Sequence, residues 1–429
     1  MSHPSLRIEH GRVIDPVAGL DAVQSLLIRD GKIAATGAEA DAAHADAVLD
    51  AAGGLIAPGF IDLYCNLREP GNGQKGSIAS ETRAAVRGGY TTVCAAPDTS
   101  PVNDSSAITH LIRDVAERDA PIRVLPLGAA TKNLAGELLS DMVGLSHAGC
   151  VAFSNGPAPL VNARVLRRCM AYAKTFGMTL MLHPQNRSLA ADGFAHDGLV
   201  TARLGLLGIP EVAETASVME LILLAEETGV RLHLSQLSCA RSVEMVGDAR
   251  ARGVAVTADV AMHHLVLTEE ALAGFDSRFH VEPPLRSEGD RKGLIEGVRA
   301  GVIDAIVSQH QPHDPAAKNA PLGDTEPGLS SIESVLSLGL GLVERDELDL
   351  VSLVRALTAG PAGVLGLTPT GFSAGQVADL CWIDTHAIWT PGAQSLFSVG
   401  KHAPILGEPL KGLVNRVWCA GEQVYTRQD

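Results

Sequence analysis

A metal centre in this chain would have to be assembled from His183, His233, His310 or His313 together with Asp98 or Glu282. A metal held there would act as a Lewis acid and supply a metal-bound hydroxide. Zinc takes His nitrogens and carboxylates, usually four at a time. The pair His263-His264 looks like a metal motif, but neighbours on a strand face opposite sides, so packing is the simpler reading. His233 and His310 read as satisfied core groups, whereas His183 can contact a weakly held ion or anion. No Ser-His-Asp or Cys-His order stands out. GNGQKGS at 71–77 lacks the length and strand–helix context of a phosphate loop, and Lys75 within it reads as a solvated loop residue. GLSSIES at 328–334 marks the start of a helix rather than a nucleophile elbow, and Pro283-Pro284 forms a rigid turn.

The elements that must position these groups follow from hydrophobic periodicity. Residues 6–58 read as short strands joined by Gly and Asp turns, with Asp30-Gly31 a strong hairpin signal. Short apolar segments return at 378–384 and 413–425, so a small sheet built from both chain ends is expected. Between them, strands at 91–95, 122–126, 179–182, 231–234, 255–258 and 305–307 alternate with helical stretches. The helices are expected at 77–87, 106–117, 162–176, 213–228, 240–251 and 290–300. In the fourth of these, Val212, Ala216, Met219 and Leu223 supply the helical spacing, and Gly229 sits where a C-cap belongs. The alternation predicts a parallel sheet with covering helices, most simply a (β/α)8 barrel. A doubly wound sheet is the alternative that periodicity leaves open. The expected division is 1–57 and 366–429 for the small β domain and 58–365 for the barrel.

Composition narrows the classes. The 429 residues are 46% apolar with 44 Gly and 23 Pro, which suits a large α/β protein; aromatics are only 3%, so Ala, Val, Leu and Ile must fill the core. Against 49 Asp+Glu stand 34 Lys+Arg, a net −15 with no long basic block, which argues against a nucleic-acid groove. Cys65, Cys94, Cys150, Cys169, Cys239, Cys381 and Cys419 form no CxxC pair and read as buried thiols in a reducing compartment. Strand alternation turns Cys65 toward the barrel exterior. No leader-like segment and no 18-residue apolar run is seen, so a cytoplasmic protein with no membrane partner is expected.

Several segments, in consistent order along nearly the whole chain, resemble the dihydroorotase branch of the cyclic amidohydrolase superfamily. They are APGFIDLYCNLREPG at 57–71, ETRAAVRGGYTTVCAAPDTSPV at 81–102, LHPQN at 182–186 and GIPEVAE at 208–214. RLHLSQLS at 231–238, VTADVAMHHLVL at 256–267, VEPPLRSEGDR at 281–291, IDAIVSQHQPH at 303–313 and GQVADLCWID at 375–384 follow. The resemblance implies a (β/α)8 barrel with a metal site at its C-terminal mouth, and interconversion of carbamoyl-aspartate and dihydroorotate.

The same resemblance marks where this chain departs. The family's His-x-His pair is Tyr64 and Asn66 here, its metal-binding Asp matches Asn155, and a further His is Gln236. The Asp that binds metal and moves protons is Gln309, which cannot accept a proton at neutral pH as a carboxylate does. Of these positions only His183 keeps its type. Arg68 matches the arginine that clamps the substrate carboxylate, a contact a guanidinium makes bidentately, and His313 matches a substrate-binding histidine. Two family asparagines are Asp98 and Glu282, which would repel an anionic substrate or pair with Arg68. The expectation is therefore a chain without metal ligands, cofactor or catalytic Asp, and on that ground not an enzyme. The resemblance extends to catalytically silent dihydroorotase-like chains that assemble with the aspartate carbamoyltransferase catalytic subunit in de novo pyrimidine synthesis. That implies a carbamoyltransferase partner and contacts between copies of this chain. A divergent amidohydrolase with an atypical metal site, and a carboxylate-binding sensor, are the alternatives.

Overall fold

Strand β1 (Leu6–Asp15) pairs antiparallel with β2 (Leu20–Arg29), and β2 with β3 (Lys32–Thr36). Asp30 and Gly31 make the β2–β3 turn with φ of 51° and 74°, the doubly positive geometry that Asp-Gly favours. Short strands β4 (Ala47–Asp50) and β5 (Leu55–Pro58) both run parallel to β1. The computed structural model describes residues 4–428.

From β5 the chain enters eight parallel strands. They are β6 (Phe60–Cys65), β7 (Tyr90–Ala95), β8 (Arg123–Ala129), β9 (Ala152–Ser154) and β10 (Thr179–Leu182). After a two-residue ribbon, β11 (Ala195–His196) with β12 (Gly208–Ile209), come β13 (Arg231–Leu234), β14 (Val256–Ala261) and β15 (Ala305–Val307). Their order is β6-β7-β8-β9-β10-β13-β14-β15. Closure comes through a parallel bridge between Cys65 and His310, with the Asn66 N–H donating to the His310 carbonyl at 2.9 Å. The sheet is thus a barrel, not the doubly wound alternative. The strands are mostly buried, as a sheet covered on both faces requires, though the start of β8 is only half-buried.

The chain returns to the first sheet through β16 (Leu380–Trp389), β17 (Leu410–Cys419) and β18 (Glu422–Thr426). β16 pairs antiparallel with β5, giving the order β18-β17-β16-β5-β1-β2-β3 with β4 on β1. Both chain ends therefore build one sheet, as the apolar segments predict. Its core of Ile8, Val13, Leu26, Ile28, Ile56, Leu380 and Trp418 is separate from the layer between the barrel and its helices.

The six helices expected from spacing sit where it places them, within a few residues. Ile78–Arg87 carries a capping box through Ser77 and Ser80, and Glu288–Arg299 one through Ser287 and Asp290. Val212–Thr228 ends on Gly229 at φ 69°. Its buried residues are Ala213, Glu214, Val218, Leu221, Ile222 and Ala225. The residues whose spacing marks it as a helix, Val212, Met219 and Leu223, are exposed. Among the described residues no helix is long and apolar enough to cross a membrane.

Candidate functional site

The C-terminal ends of the barrel strands gather the positions that the sequence singles out. Tyr64 is on β6 and Asn66 follows it; Asp98 follows β7, Asn155 follows β9 and His183 follows β10. Gln236 follows β13 and Gln309 follows β15, while Glu282 comes from the long connection between β14 and β15. Tyr64, Asn66, Asn155, His183, Gln236, Gln309 and His313 are all buried. This is the face on which barrels of this kind carry their sites.

The amide nitrogens here are engaged by neighbouring oxygens. Gln309 Nε2 donates to Gln236 Oε1 at 3.1 Å and to the Glu282 carbonyl at 2.7 Å. Asn66 Nδ2 donates to both Asp98 oxygens, at 2.8 and 3.0 Å. Asn155 accepts from Thr131 at 2.6 Å and donates to the carbonyls of Leu134 and Ala158. His183 Nδ1 lies 3.3 Å from the Ser235 carbonyl. With His183 the one imidazole among these positions, and the Asp98 and Glu282 carboxylates engaged by Asn66 and Gln185, the mouth does not fit a family-type divalent centre, which needs several imidazole nitrogens and anionic oxygens.

Three polar atoms of the mouth, Tyr64 Oη, Asn66 Oδ1 and Gln309 Oε1, are buried without a hydrogen-bond partner among the described residues. Each such group costs about 1–3 kcal/mol while unsatisfied. Arg68, Gln236 and Gln309 also hold positive φ, 63°, 60° and 49°, a conformation that non-glycine residues adopt at functional sites more than elsewhere.

Arg68 stands beside this group. Its Nε donates to the Pro312 carbonyl at 2.9 Å, and Nη2 lies 3.5 Å from His313 Nε2. The expected ion pair between Arg68 and Asp98 or Glu282 does not form among the described residues; Asp98 is held by Asn66, and Glu282 accepts from Gln185 Nε2 at 2.9 Å. Burial raises the Asp98 carboxyl above its ordinary value, opposed by the nearby Arg68 guanidinium. Burial, then Arg68 and Lys318, push His313 down to about 3, so it is neutral at physiological pH. Lys75 is not a free loop cation. Its Nζ reaches Glu326 at 2.5 Å and lies 3.5 Å from His313 Nδ1.

Beneath the mouth lie buried pairs that the sequence reading left unconnected. His310 Nε2 meets Glu81 Oε2 at 2.8 Å, and His233 Nε2 meets Asp259 Oδ2 at 2.8 Å. Asp62 accepts from the Ser308 amide at 3.0 Å and from its hydroxyl. His233 and His310 are thus satisfied core groups. His263 and His264 do not alternate as strand neighbours; they lie in the helical turn Met262–Val266 with ring centroids 4.6 Å apart.

The expectation of a chain without metal ligands, and on that ground without enzyme activity, is overturned outside the mouth. Glu211, Cys239 and Asp290 bring one ligand atom each within 4.8 Å of the others. They come from the loop before one helix, the cap of a second and the first turn of a third, so no local spacing announces them. Asp290 Oδ1 accepts from the Ala240 amide at 3.0 Å, and Oδ2 from the Ser287 hydroxyl at 2.6 Å. Burial, then the neighbouring Glu214, push the Cys239 thiol up. All seven cysteines are free.

Comparison with known proteins places this geometry. The family model described as Dihydro-orotase-like matches residues 53–242. The chain is 47% identical over 410 residues to a dihydroorotase-like protein of Pseudomonas aeruginosa, covering 96% of this chain and 97% of that one. It is 40% identical over 422 residues to a dihydroorotase of Anaeromyxobacter dehalogenans, covering 98% of each. In fold it is similar to L-hydantoinase (dihydropyrimidinase) from Arthrobacter aurescens, with a TM-score of 0.90 at 22% identity over 100% of this chain and 97% of that one.

Proposed function

The chain belongs to the dihydroorotase-like family, and from that premise we propose that it is a divergent cyclic amidohydrolase relative with an atypical metal site. Its barrel mouth recognises a small carboxylate-bearing ligand, and a divalent ion, where one is used, is held by groups other than the family's. The observation that carries this reading is the set of buried, unpartnered atoms Tyr64 Oη, Asn66 Oδ1 and Gln309 Oε1 beside Arg68. A hydroxyl and two amide oxygens match the N–H and carbonyl edges of an amide or ureide. Arg68, with neutral hydrogen-bond partners, supplies the charge for a carboxylate. No step through a mouth metal is derived, because the residues there do not fit one.

The test combines metal analysis, turnover in both directions with dihydroorotate and carbamoyl-aspartate, and calorimetry with the same ligands. Saturable binding that Arg68→Ala weakens at least about tenfold, a loss of roughly 1.4 kcal/mol, supports the reading. Absence of binding by both ligands, or binding indifferent to Arg68, overturns it.

A second reading rests on a different observation. The chain shares more identity with the protein named dihydroorotase-like than with the one named dihydroorotase. On this second reading we propose that the chain sits beside the catalytic subunit of aspartate carbamoyltransferase, in a complex that also contains contacts between copies of this chain. Such a role asks nothing of the barrel mouth. A carbamoyltransferase whose mass and activity are unchanged when this chain is removed would dispose of it.

A further inference from the structure

Charge at the barrel mouth is separated rather than paired. Arg68 meets only neutral groups, the Pro312 carbonyl at 2.9 Å and His313 Nε2 at 3.5 Å. Asp98 and Glu282, for their part, are held by amides. Asn66 Nδ2 donates to the two Asp98 oxygens at 2.8 and 3.0 Å, and Gln185 Nε2 to Glu282 Oε1 at 2.9 Å. Among the described residues no basic side chain pairs with either carboxylate. The lysines nearby are engaged elsewhere: Lys75 with Glu326 at 2.5 Å, and Lys318 Nζ with the Ser277 and His280 carbonyls at 3.3 and 3.2 Å. A carboxylate drawn out of water without a cation is held at a cost that a bound cation removes.

The unpartnered atoms beside these carboxylates have the same character. Asn66 Oδ1 and Gln309 Oε1 are amide oxygens, which only accept, on residues 4% and 3% exposed. Burial and then the Asp98 charge push the Tyr64 phenol well above its ordinary value, with Arg68 acting the other way, so its hydroxyl stands near both. An added Cβ on Gly156 would lie 3.7 Å from Asp98 Cβ and 3.9 Å from Tyr64 Oη. The missing side chain thus leaves room where carboxylate and hydroxyl converge. The mouth offers negative charge and acceptors in one part and a guanidinium in another.

Resting on the carboxylate-binding reading of this mouth, we propose that its ligand is a zwitterion of the amino-acid class. The ligand's carboxylate lies on Arg68. Its ammonium lies against Asp98 and the free oxygens of Asn66 and Gln309, with Glu282 adding to the field. An ammonium brings three N–H donors and a full charge on one centre, whereas an amide or ureide nitrogen brings at most two donors and no charge. A neutral analogue leaves both carboxylates without a cation, and that difference sets the preference.

Calorimetry on the full chain reads this with two pairs of probes, each differing by one ammonium: L-asparagine against succinamate, and β-alanine against propionate. In at least one pair the zwitterion is expected to bind at least about tenfold more tightly. Asp98→Asn combined with Glu282→Gln keeps the shape of both side chains and is expected to erase the preference without weakening succinamate. Melting temperature checks the fold, and Asp98→Asn alone takes the place of the double variant if that chain unfolds.

Equal affinity within both pairs overturns the proposal, as does a preference that the variant keeps. If dihydroorotate binds through Arg68 while neither zwitterion gains from its ammonium, the carboxylate reading stands and the zwitterion does not. If no ligand binds, both fall. Magnesium or calcium chloride alone tests the other occupant that these oxygens suit. Saturable binding of either ion that Asp98→Asn removes would give the site to a metal and overturn the proposal.

Discussion

Gln309 donates a hydrogen bond to Gln236 at 3.1 Å, joining the ends of β15 and β13 where the family resemblance implies an Asp and a His. The same amide holds the Glu282 carbonyl at 2.7 Å, so one side chain ties the long β14–β15 connection to the barrel rim. Gln309→Leu removes both donations from a buried setting and is expected to cost about 1–3 kcal/mol. Gln309→Asp is expected to be no better, since a carboxylate faces two acceptors. Urea denaturation of both variants measures this. Unchanged stability would mean that the amide pair contributes nothing to the rim.

Glu81 joins the two parts of the chain. One oxygen meets His310 at 2.8 Å, and the other accepts from the Val399 amide at 3.1 Å and the Ser80 hydroxyl at 2.7 Å. Removing one member of a buried pair leaves the other uncompensated, at about 3–5 kcal/mol. Glu81→Ala is therefore expected to lower stability by that order and to speed hydrogen exchange at Val399. Exchange at Val399 no faster than in the parent chain would show that Glu81 does not anchor this segment.

The barrel and the composite sheet were legible in sequence because their signals are local. Periodicity marks six of the covering helices within a few residues but not Met142–Ala148 or Leu350–Leu357, and Asp30-Gly31 marks its hairpin. β9 escaped the periodicity reading because three residues, Ala152–Ser154, carry no period. The mouth was legible as a set of positions, since each falls at a strand end, but their partners were not. Gln309 and Gln236 are 73 residues apart, and nothing in either segment tells that they meet. The Arg68 ion pair failed for the same reason: amides distant in sequence, Asn66 and Gln185, hold Asp98 and Glu282 instead. Glu211, Cys239 and Asp290 meet only through the packing of three separate elements. For the helix Val212–Thr228, spacing found the element but not which apolar face turns inward.

Zinc binding at Glu211, Cys239 and Asp290 would have to displace a proton, because burial favours the neutral thiol and the thiolate is the ligand. Affinity there is expected to rise about tenfold per pH unit below the thiol's pKa. Cys239→Ser is expected to abolish that dependence, while Gln309→Leu leaves it alone. Zinc titrations at several pH values check this. A pH-independent affinity, or one lost on changing Gln309, would place the ion elsewhere.

Asp62 gives the barrel a distinct pH response. Burial raises its carboxyl to about 6, against the lowering effect of the Ser308 hydrogen bonds and of His310, while Asp259 adds to the rise. In the unfolded chain the same group ionises near 3.8. Between these values the folded chain holds a proton that the unfolded one has released, so stability falls as pH rises through the window and levels off above it. A gap of about two pH units corresponds to roughly 3 kcal/mol. Asp62→Asn can still accept from Ser308 through its amide oxygen but does not titrate. Urea denaturation across pH 4 to 7 is expected to show a fall for the parent chain that this variant lacks. Parallel profiles for the two proteins would assign the pH response to other groups.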